Sequence, residues 1–188
     1  MKKFLGIGVV LGALAVGLFA YDLFVIRALE RQMDASITRI EVSYANIVGS
    51  DVAAVRAEVT GSSAELTQAF GVTQTLVTRM KEDRDRIDRL NDIVKIQRAL
   101  RKIEALVVAY EGITDLPSYA ALRHSVGERG PVRAQLQEYN EHARQWNNHV
   151  QGSVSTASAT VQSTQRMMLP YLRFDGEAEA EQKVGFGG

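Results

Sequence analysis

Residues Phe4 to Tyr21 are eighteen consecutive uncharged, mostly apolar positions behind Met1-Lys2-Lys3, and Leu23-Phe24-Val25-Ile26 resume the run beyond a single Asp22. About 20 residues of helix cross the hydrocarbon core of a bilayer. The stretch therefore predicts an N-terminal membrane anchor over residues 1–26, carried by Phe4, Leu5, Ile7, Gly8, Val9, Val10, Leu11, Gly12, Leu14, Val16, Leu18 and Phe19. A cleavable signal peptide is the competing reading, since two lysines, an apolar core and Ala13-Leu14-Ala15 or a site near Ala20 fit its outline. The anchor is preferred because the run exceeds the roughly 7–15 residues of a signal core and passes without a turn into a helical pattern. Gly8 and Gly12 form a small-xxx-small pair that lets two such helices approach. Lys2 and Lys3 favour a cytoplasmic N-terminus, against Arg27 and Arg31 just past the other end.

From Arg27 the chain turns amphipathic. Ile26, Leu29, Met33, Ile37, Ile40, Tyr44 and Ile47 or Val48 recur at steps of three and four, one stripe of an α-helix. Gly49-Ser50-Asp51 reads as a stop and restart, a helix-ending glycine followed by two N-cap residues. Val52 to about Tyr110 again reads as helix, with Gly61 and Gly71 as break or kink points. Within it Ile93, Ile96, Leu100, Ile103, Val107 and Tyr110 alternate steps of three and four, a seam of the kind one helix offers another. Nine basic and six acidic residues lie between Arg79 and Glu104, and pairs four apart such as Glu82/Arg86, Arg84/Asp88 and Asp85/Arg89 predict an exposed, salt-bridged face.

All three prolines, Pro117, Pro131 and Pro170, fall late in the chain. Gly112 to Pro117 is a predicted loop, Ser118 to Val126 a short helix, and Gly127 to Pro131 the clearest turn. Val132, Leu136, Tyr139, Ala143, Trp146, Val150, Val154, Ala157 and Val161 then predict a third long helix, closed by the apolar cluster Met167 to Leu172. The acidic, glycine-terminated stretch 173–188 is expected to be a disordered tail. The resulting expectation is an all-α chain: a transmembrane helix over 1–26, then an antiparallel bundle of three to four long helices over 27–172.

Composition narrows function by exclusion. Twenty-two basic and twenty-two acidic side chains cancel, so no global basic field collects nucleic acid. The absence of cysteine removes disulfides, thiolate metal sites and a cysteine nucleophile together. His142 and His149 share a helix face but stand about 10 Å apart along its axis, too far to ligate one ion together. No P-loop, G-x-S-x-G or H-E-x-x-H pattern occurs, and Asp83/Asp85 and Asp88/Asp92 sit among arginines rather than as isolated dyads. No catalytic residue, metal, cofactor or small-molecule substrate is assigned.

One constellation has an unusual shape: Tyr139-Asn140 is followed seven residues later by Trp146-Asn147. The spacing puts both rings on one helix face and both amides on an adjacent one, where amides can bond across helices or to a partner's backbone. Together with the basic N-terminus, the single membrane helix and the helical region behind it, this pair resembles the LemA family of bacterial membrane-anchored helical proteins, whose repeated Tyr-Asn step it matches with Trp146 in place of the second tyrosine. Leu116-Pro117 with Leu122 is similar to that family's Tyr-Pro-x-Leu segment. The family's proline-containing block after the membrane span has no counterpart, and its later Phe-Pro step has only Leu169-Pro170. The resemblance implies a non-enzymatic, single-pass protein of the bacterial inner membrane. Lys2 and Lys3 put the bundle outside, and the seam from Ile93 to Tyr110 together with the lack of a catalytic set points to another protein or a second copy as the partner. The alternative is a ligand-binding or sensor bundle with the Tyr139/Trp146 face as a pocket wall.

Overall fold

A computed structural model describes residues 2–59, 61, 63–110, 112–127, 130–152 and 168–172, with side chains from Gly12 onward. The side chains of Phe4, Leu5, Ile7, Gly8, Val9, Val10 and Leu11, the predicted helical positions Val154, Ala157 and Val161, Met167, and the 173–188 tail lie outside the described residues. The described residues form six α-helices and no strand: α1 (Lys2–Ile47), α2 (Ala53–Glu58), α3 (Ala64–Arg79), α4 (Arg86–Val107), α5 (Pro117–Val126) and α6 (Pro131–Gln151). Their internal contacts divide the chain into two units, Met1–Met33 with Glu141–Leu169, and Asp34–Asn140 with Pro170–Gly188.

In the first unit, α1 is long and apolar enough to cross a membrane, a test that a signal sequence near the N-terminus also passes. Leu14, Val16, Leu18, Tyr21 and Phe24 are exposed, and the stripe then becomes one-sided, with Ile26, Leu29 and Met33 buried. Among the described residues, Ala143, Trp146 and Leu169 are the buried apolar residues that the later segment supplies to this unit.

In the second unit the same stripe continues through Ile37, Ile40, Tyr44, Ile47 and Val48, all buried. Gly49-Ser50-Asp51 does not stop the helix, contrary to the sequence expectation. Residues Val48–Val52 form a π-helical turn whose flanking residues Ile47 and Ala53 keep right-handed helical dihedrals. The groups that would cap a new helix are otherwise engaged: Ser50 Oγ donates back to the Asn46 carbonyl at 2.8 Å, and Asp51 Oδ2 accepts from Ser125 Oγ at 2.5 Å. The wider turn leaves Val48 and Val52 both buried, so the stripe survives the insertion.

The break falls at Gly61, which takes φ +71°, a left-handed conformation that a side chain rarely adopts. Ser63 then caps α3 by accepting from the Leu66 amide, and its own amide donates to the Tyr110 hydroxyl at 2.7 Å. Gly71 lies inside α3 and neither ends nor interrupts it. A second break, which the periodicity did not show, comes at residues 80–85. Asp85 caps α4 by accepting from the Asp88 amide at 2.8 Å, so part of the charged run serves as connector and cap. α3 and α4 pack against each other, with Leu66, Phe70, Thr73 and Leu76 of α3 and Leu90, Ile93, Ile96, Leu100 and Ile103 of α4 buried. The seam residues Ile93, Ile96, Leu100, Ile103 and Val107 are 0–1% exposed, so the unit's own core consumes them, and Tyr110 is half-buried.

The charges of α4 also do more than solvate a face. Arg86 meets Asp34 of α1 through two bonds of 3.0 and 3.1 Å, and Arg89 meets Glu41 through bonds of 3.0 and 2.5 Å while also reaching Thr38. These forks replace the local pairs expected with Glu82 and Asp85, because a guanidinium satisfies a carboxylate best in the planar two-point arrangement. The bond to Glu41 raises the pKa of Arg89 above its ordinary value, against the opposing effect of burial. Asp92 is wholly buried rather than solvated, bonded to Arg84, with Arg79 Nε and Lys95 Nζ each 3.6 Å away. The bond to Asp92 likewise raises the pKa of Arg84.

Gly112, at φ +73°, turns the chain into a short 3-10 segment, Ile113–Asp115, and Pro117 opens α5, where its missing amide would have had no partner in any case. At Gly130 a side chain would run into the Ser125 carbonyl, which keeps the entry to α6 a glycine. Ile93→Ala should cost about 2–5 kcal/mol in denaturant unfolding, and Asp85→Ala about 1 kcal/mol, because the first opens a cavity in a closed core and the second removes only a cap. Equal costs would contradict this division of roles.

Candidate functional site

Helix α6 buries Val132, Leu136, Tyr139, Ala143 and Trp146, the three-and-four stripe that fixes its rotation about its own axis. Asn147 lies beside Leu169 in the first unit and Asn140 beside Leu172 in the second. Met168–Leu172 is not helical, where the apolar cluster was expected to end a helix, and Leu172 is a bridge residue.

Each asparagine bonds one residue of this segment at two points. In the first unit, Asn147 Nδ2 donates to the Leu169 carbonyl at 3.0 Å and Asn147 Oδ1 accepts from the Leu169 amide at 2.8 Å. In the second, Asn140 Nδ2 donates to the Leu172 carbonyl and Asn140 Oδ1 accepts from the Leu172 amide, both at 2.8 Å. Also in the second unit, the Tyr139 hydroxyl donates to the Pro170 carbonyl at 2.9 Å, and burial pushes its pKa up, which keeps that proton in place. A carboxamide carries donor and acceptor in one plane, as the edge of a peptide does, so it can meet the amide and carbonyl of one extended residue as a β-strand neighbour would.

Chain geometry accounts for the sequence positions. Seven residues of α-helix complete nearly two turns and rise about 10.5 Å. A regular β-strand would turn residues three apart to opposite edges. A polyproline-type extension has three residues per turn and rises about 9.3 Å over them, returning residues 169 and 172 to the same side. Pro170 between them fixes the φ this needs. The leucine side chains are buried with their backbones, Leu169 at 6% and Leu172 at 3% exposure.

The first unit holds a second polar contact. Asp22, the one charge in the apolar stretch, is wholly buried and its Oδ1 lies 2.8 Å from His149 Nε2. A buried carboxylate is costly without a partner, and the histidine supplies one. Gln151 Nε2 lies 3.3 Å from Met168 Sδ.

The other sequence candidates do not converge. The seam from Ile93 to Val107 lies in the core, and Tyr139 and Trp146 are 0% and 5% exposed, so neither ring lines an open pocket. Among the described residues no group of three or more histidine, aspartate or glutamate side chains could hold a metal ion. A groove of about 340 Å³ between α3 and α4 has Lys95, Arg98 and Lys102 beside an apolar floor of Ala69, Val72 and Leu76. Its lysines are already paired, Lys102 with Glu65 at 2.8 Å and Lys95 with Asp92. Sequence reasoning singled out Asn140 and Asn147 but not their ligand. The signal for it was Leu169-Pro170-Tyr171-Leu172, whose leucines are three apart across a proline. No protein-family model, curated protein or solved structure matches the chain.

Asn147→Leu strands the amide and carbonyl of a buried Leu169 and should destabilise the chain by about 1–3 kcal/mol. Asn148→Ala, at an exposed neighbour, should stay within about 0.5 kcal/mol. Equal melting curves for the two variants would show that the two-point bond contributes nothing.

Proposed function

We propose that the chain is a non-enzymatic, membrane-anchored helical protein, LemA-like, that acts through contacts with a protein partner or with a second copy of itself. The observation that carries the anchor is the change along α1. Leu14, Val16, Leu18, Tyr21 and Phe24 are 51–73% exposed, whereas Ile26, Leu29 and Met33 are at most 9% exposed. So many large apolar side chains around one helix are unfavourable in water and favourable in hydrocarbon. Eighteen helical residues rise about 27 Å, close to the thickness of the hydrocarbon core.

Behind the anchor the reading is an antiparallel bundle. Glu65 with Lys102 and Arg79 with Asp92 pair α3 and α4 in reverse order, as neighbours in an up-and-down arrangement do. Asp34 with Arg86 and Glu41 with Arg89 pair α1 and α4 in the same order, as its first and third members would. The paired aromatic-asparagine steps at 139–140 and 146–147 support the LemA assignment, and with it a bacterial inner-membrane location. Lys2 and Lys3 support a cytoplasmic N-terminus with the bundle outside. With the Ile93–Val107 seam enclosed in the chain's own core, contacts with a partner fall to the exposed faces of the helices.

Alkaline carbonate washing of membranes should leave the full chain in the pellet, and Val16→Arg should disfavour insertion by about 3 kcal/mol. Release of the unaltered chain into the supernatant would contradict the anchor. Crosslinking in those same membranes that yields only monomer would contradict the interaction role.

A further inference from the structure

Within the second unit, Gln97 follows the seam residue Ile96 on α4 and is itself 5% exposed. Neither its Oε1 nor its Nε2 has a hydrogen-bond partner among the described residues. A buried carboxamide with both polar ends unmet is destabilising, and buried polar groups are as a rule satisfied by protein or by ordered water. This amide lines a small cavity of about 10 Å³ where four helices meet: Tyr44 comes from α1, Gln97 and Arg101 from α4, Ser125 and Val126 from α5, and Val132 from α6. Burial pushes the Tyr44 hydroxyl pKa up, and Gln97 stands close enough to oppose that shift without being bonded to it. The Ser125 hydroxyl gives its hydrogen to Asp51, which leaves its oxygen able to accept another.

Size and chemistry together select the occupant. A space of about 10 Å³ admits one water and nothing larger. An anion would answer Nε2 and leave Oε1 unmet, and a cation would do the reverse. A single water answers both, accepting from Nε2 and donating to Oε1, and it keeps a second hydrogen for the oxygen of Ser125 or Tyr44. We propose that this junction is a binding site for one structural water, which bridges Gln97 of α4 to the hydroxyls of Tyr44 on α1 and Ser125 on α5. The bridge ties three helices through one polar side chain. It therefore specifies register, because a slip of α4 by one residue would carry the amide away from its partners and leave it unmet in the core. The inference is independent of the proposed anchor and of the proposed partner.

The full chain in detergent, isotopically labelled at glutamine amides and valine methyls, tests the site by water-selective NMR. Expected are laboratory-frame and rotating-frame Overhauser cross-peaks of opposite sign between the water resonance and the Gln97 side-chain amide, the sign pattern of a held water rather than of proton exchange. The Val126 and Val132 methyls, which line the same cavity, should show the same contact. Gln97→Met keeps the side-chain length and removes both polar atoms, so the valine cross-peaks should fall about tenfold or more while circular dichroism shows the helices intact. The measurement on the unaltered chain needs no variant to fold. A Gln97 amide with no cross-peak of opposite sign to water would overturn the proposal, as would a Gln97→Met chain that retains the valine cross-peaks. A saturable shift of the Gln97 amide on titration with chloride would also overturn it, because the occupant would then be an ion.

Discussion

A planar carboxamide that donates and accepts at once is the group on which the distinctive part of this structure depends. Backbone leaving a helix and returning beside it exposes amides and carbonyls that must be satisfied if they are buried. Here Leu169 and Leu172 return to α6 with their side chains buried, Leu172 as a bridge residue. Asn147 bonds both polar groups of Leu169, and Asn140 both polar groups of Leu172. Serine or threonine offers a single donor hydrogen on a rotating hydroxyl, and aspartate offers no donor when ionised. The side-chain type and the seven-residue spacing are therefore both specified by what they hold.

A second constraint is the placement of charge. The chain's neutral total conceals carboxylates drawn deep into it: Asp22, Glu41 and Asp92 are 0–6% exposed. Each has a cationic or imidazole partner, respectively His149, Arg89 and the group of Arg84, Arg79 and Lys95. Removing one member of such a pair is costly because the other is left buried and charged, so these pairs fix register more than they add net stability. Arg86 and Arg89 do this for α4 by reaching Asp34 and Glu41 of α1.

Much of the helical layout was legible in the sequence, because burial at steps of three and four is a direct image of a helix face. The stripe from Ile26 to Val48, the seam from Ile93 to Val107 and the face from Val132 to Trp146 are all buried. Punctuation was harder to read. Gly49-Ser50-Asp51 has the composition of a break, yet Ser50 and Asp51 find partners at Asn46 and Ser125 that keep the helix running. The run Met80 to Asp85 has the composition of an exposed helix, yet Asp85 turns it into a cap. Partners distant in sequence left no local trace. Arg86 and Arg89 have acceptable neighbours four residues away but bond residues 52 and 48 positions earlier. At the candidate site the asparagines stood out by their spacing, and the residues they hold did not, because a short apolar run around Pro170 reads equally well as a helix end.

Amide hydrogen exchange of the full chain in detergent, resolved to single residues, tests most directly the claim that the two asparagines hold 168–172 as a paired strand would. Slow exchange is expected at Leu169 and Leu172, accelerated at Leu169 in Asn147→Leu and at Leu172 in Asn140→Leu. Exchange of both amides at the rate of an unstructured peptide in the unaltered chain would contradict it.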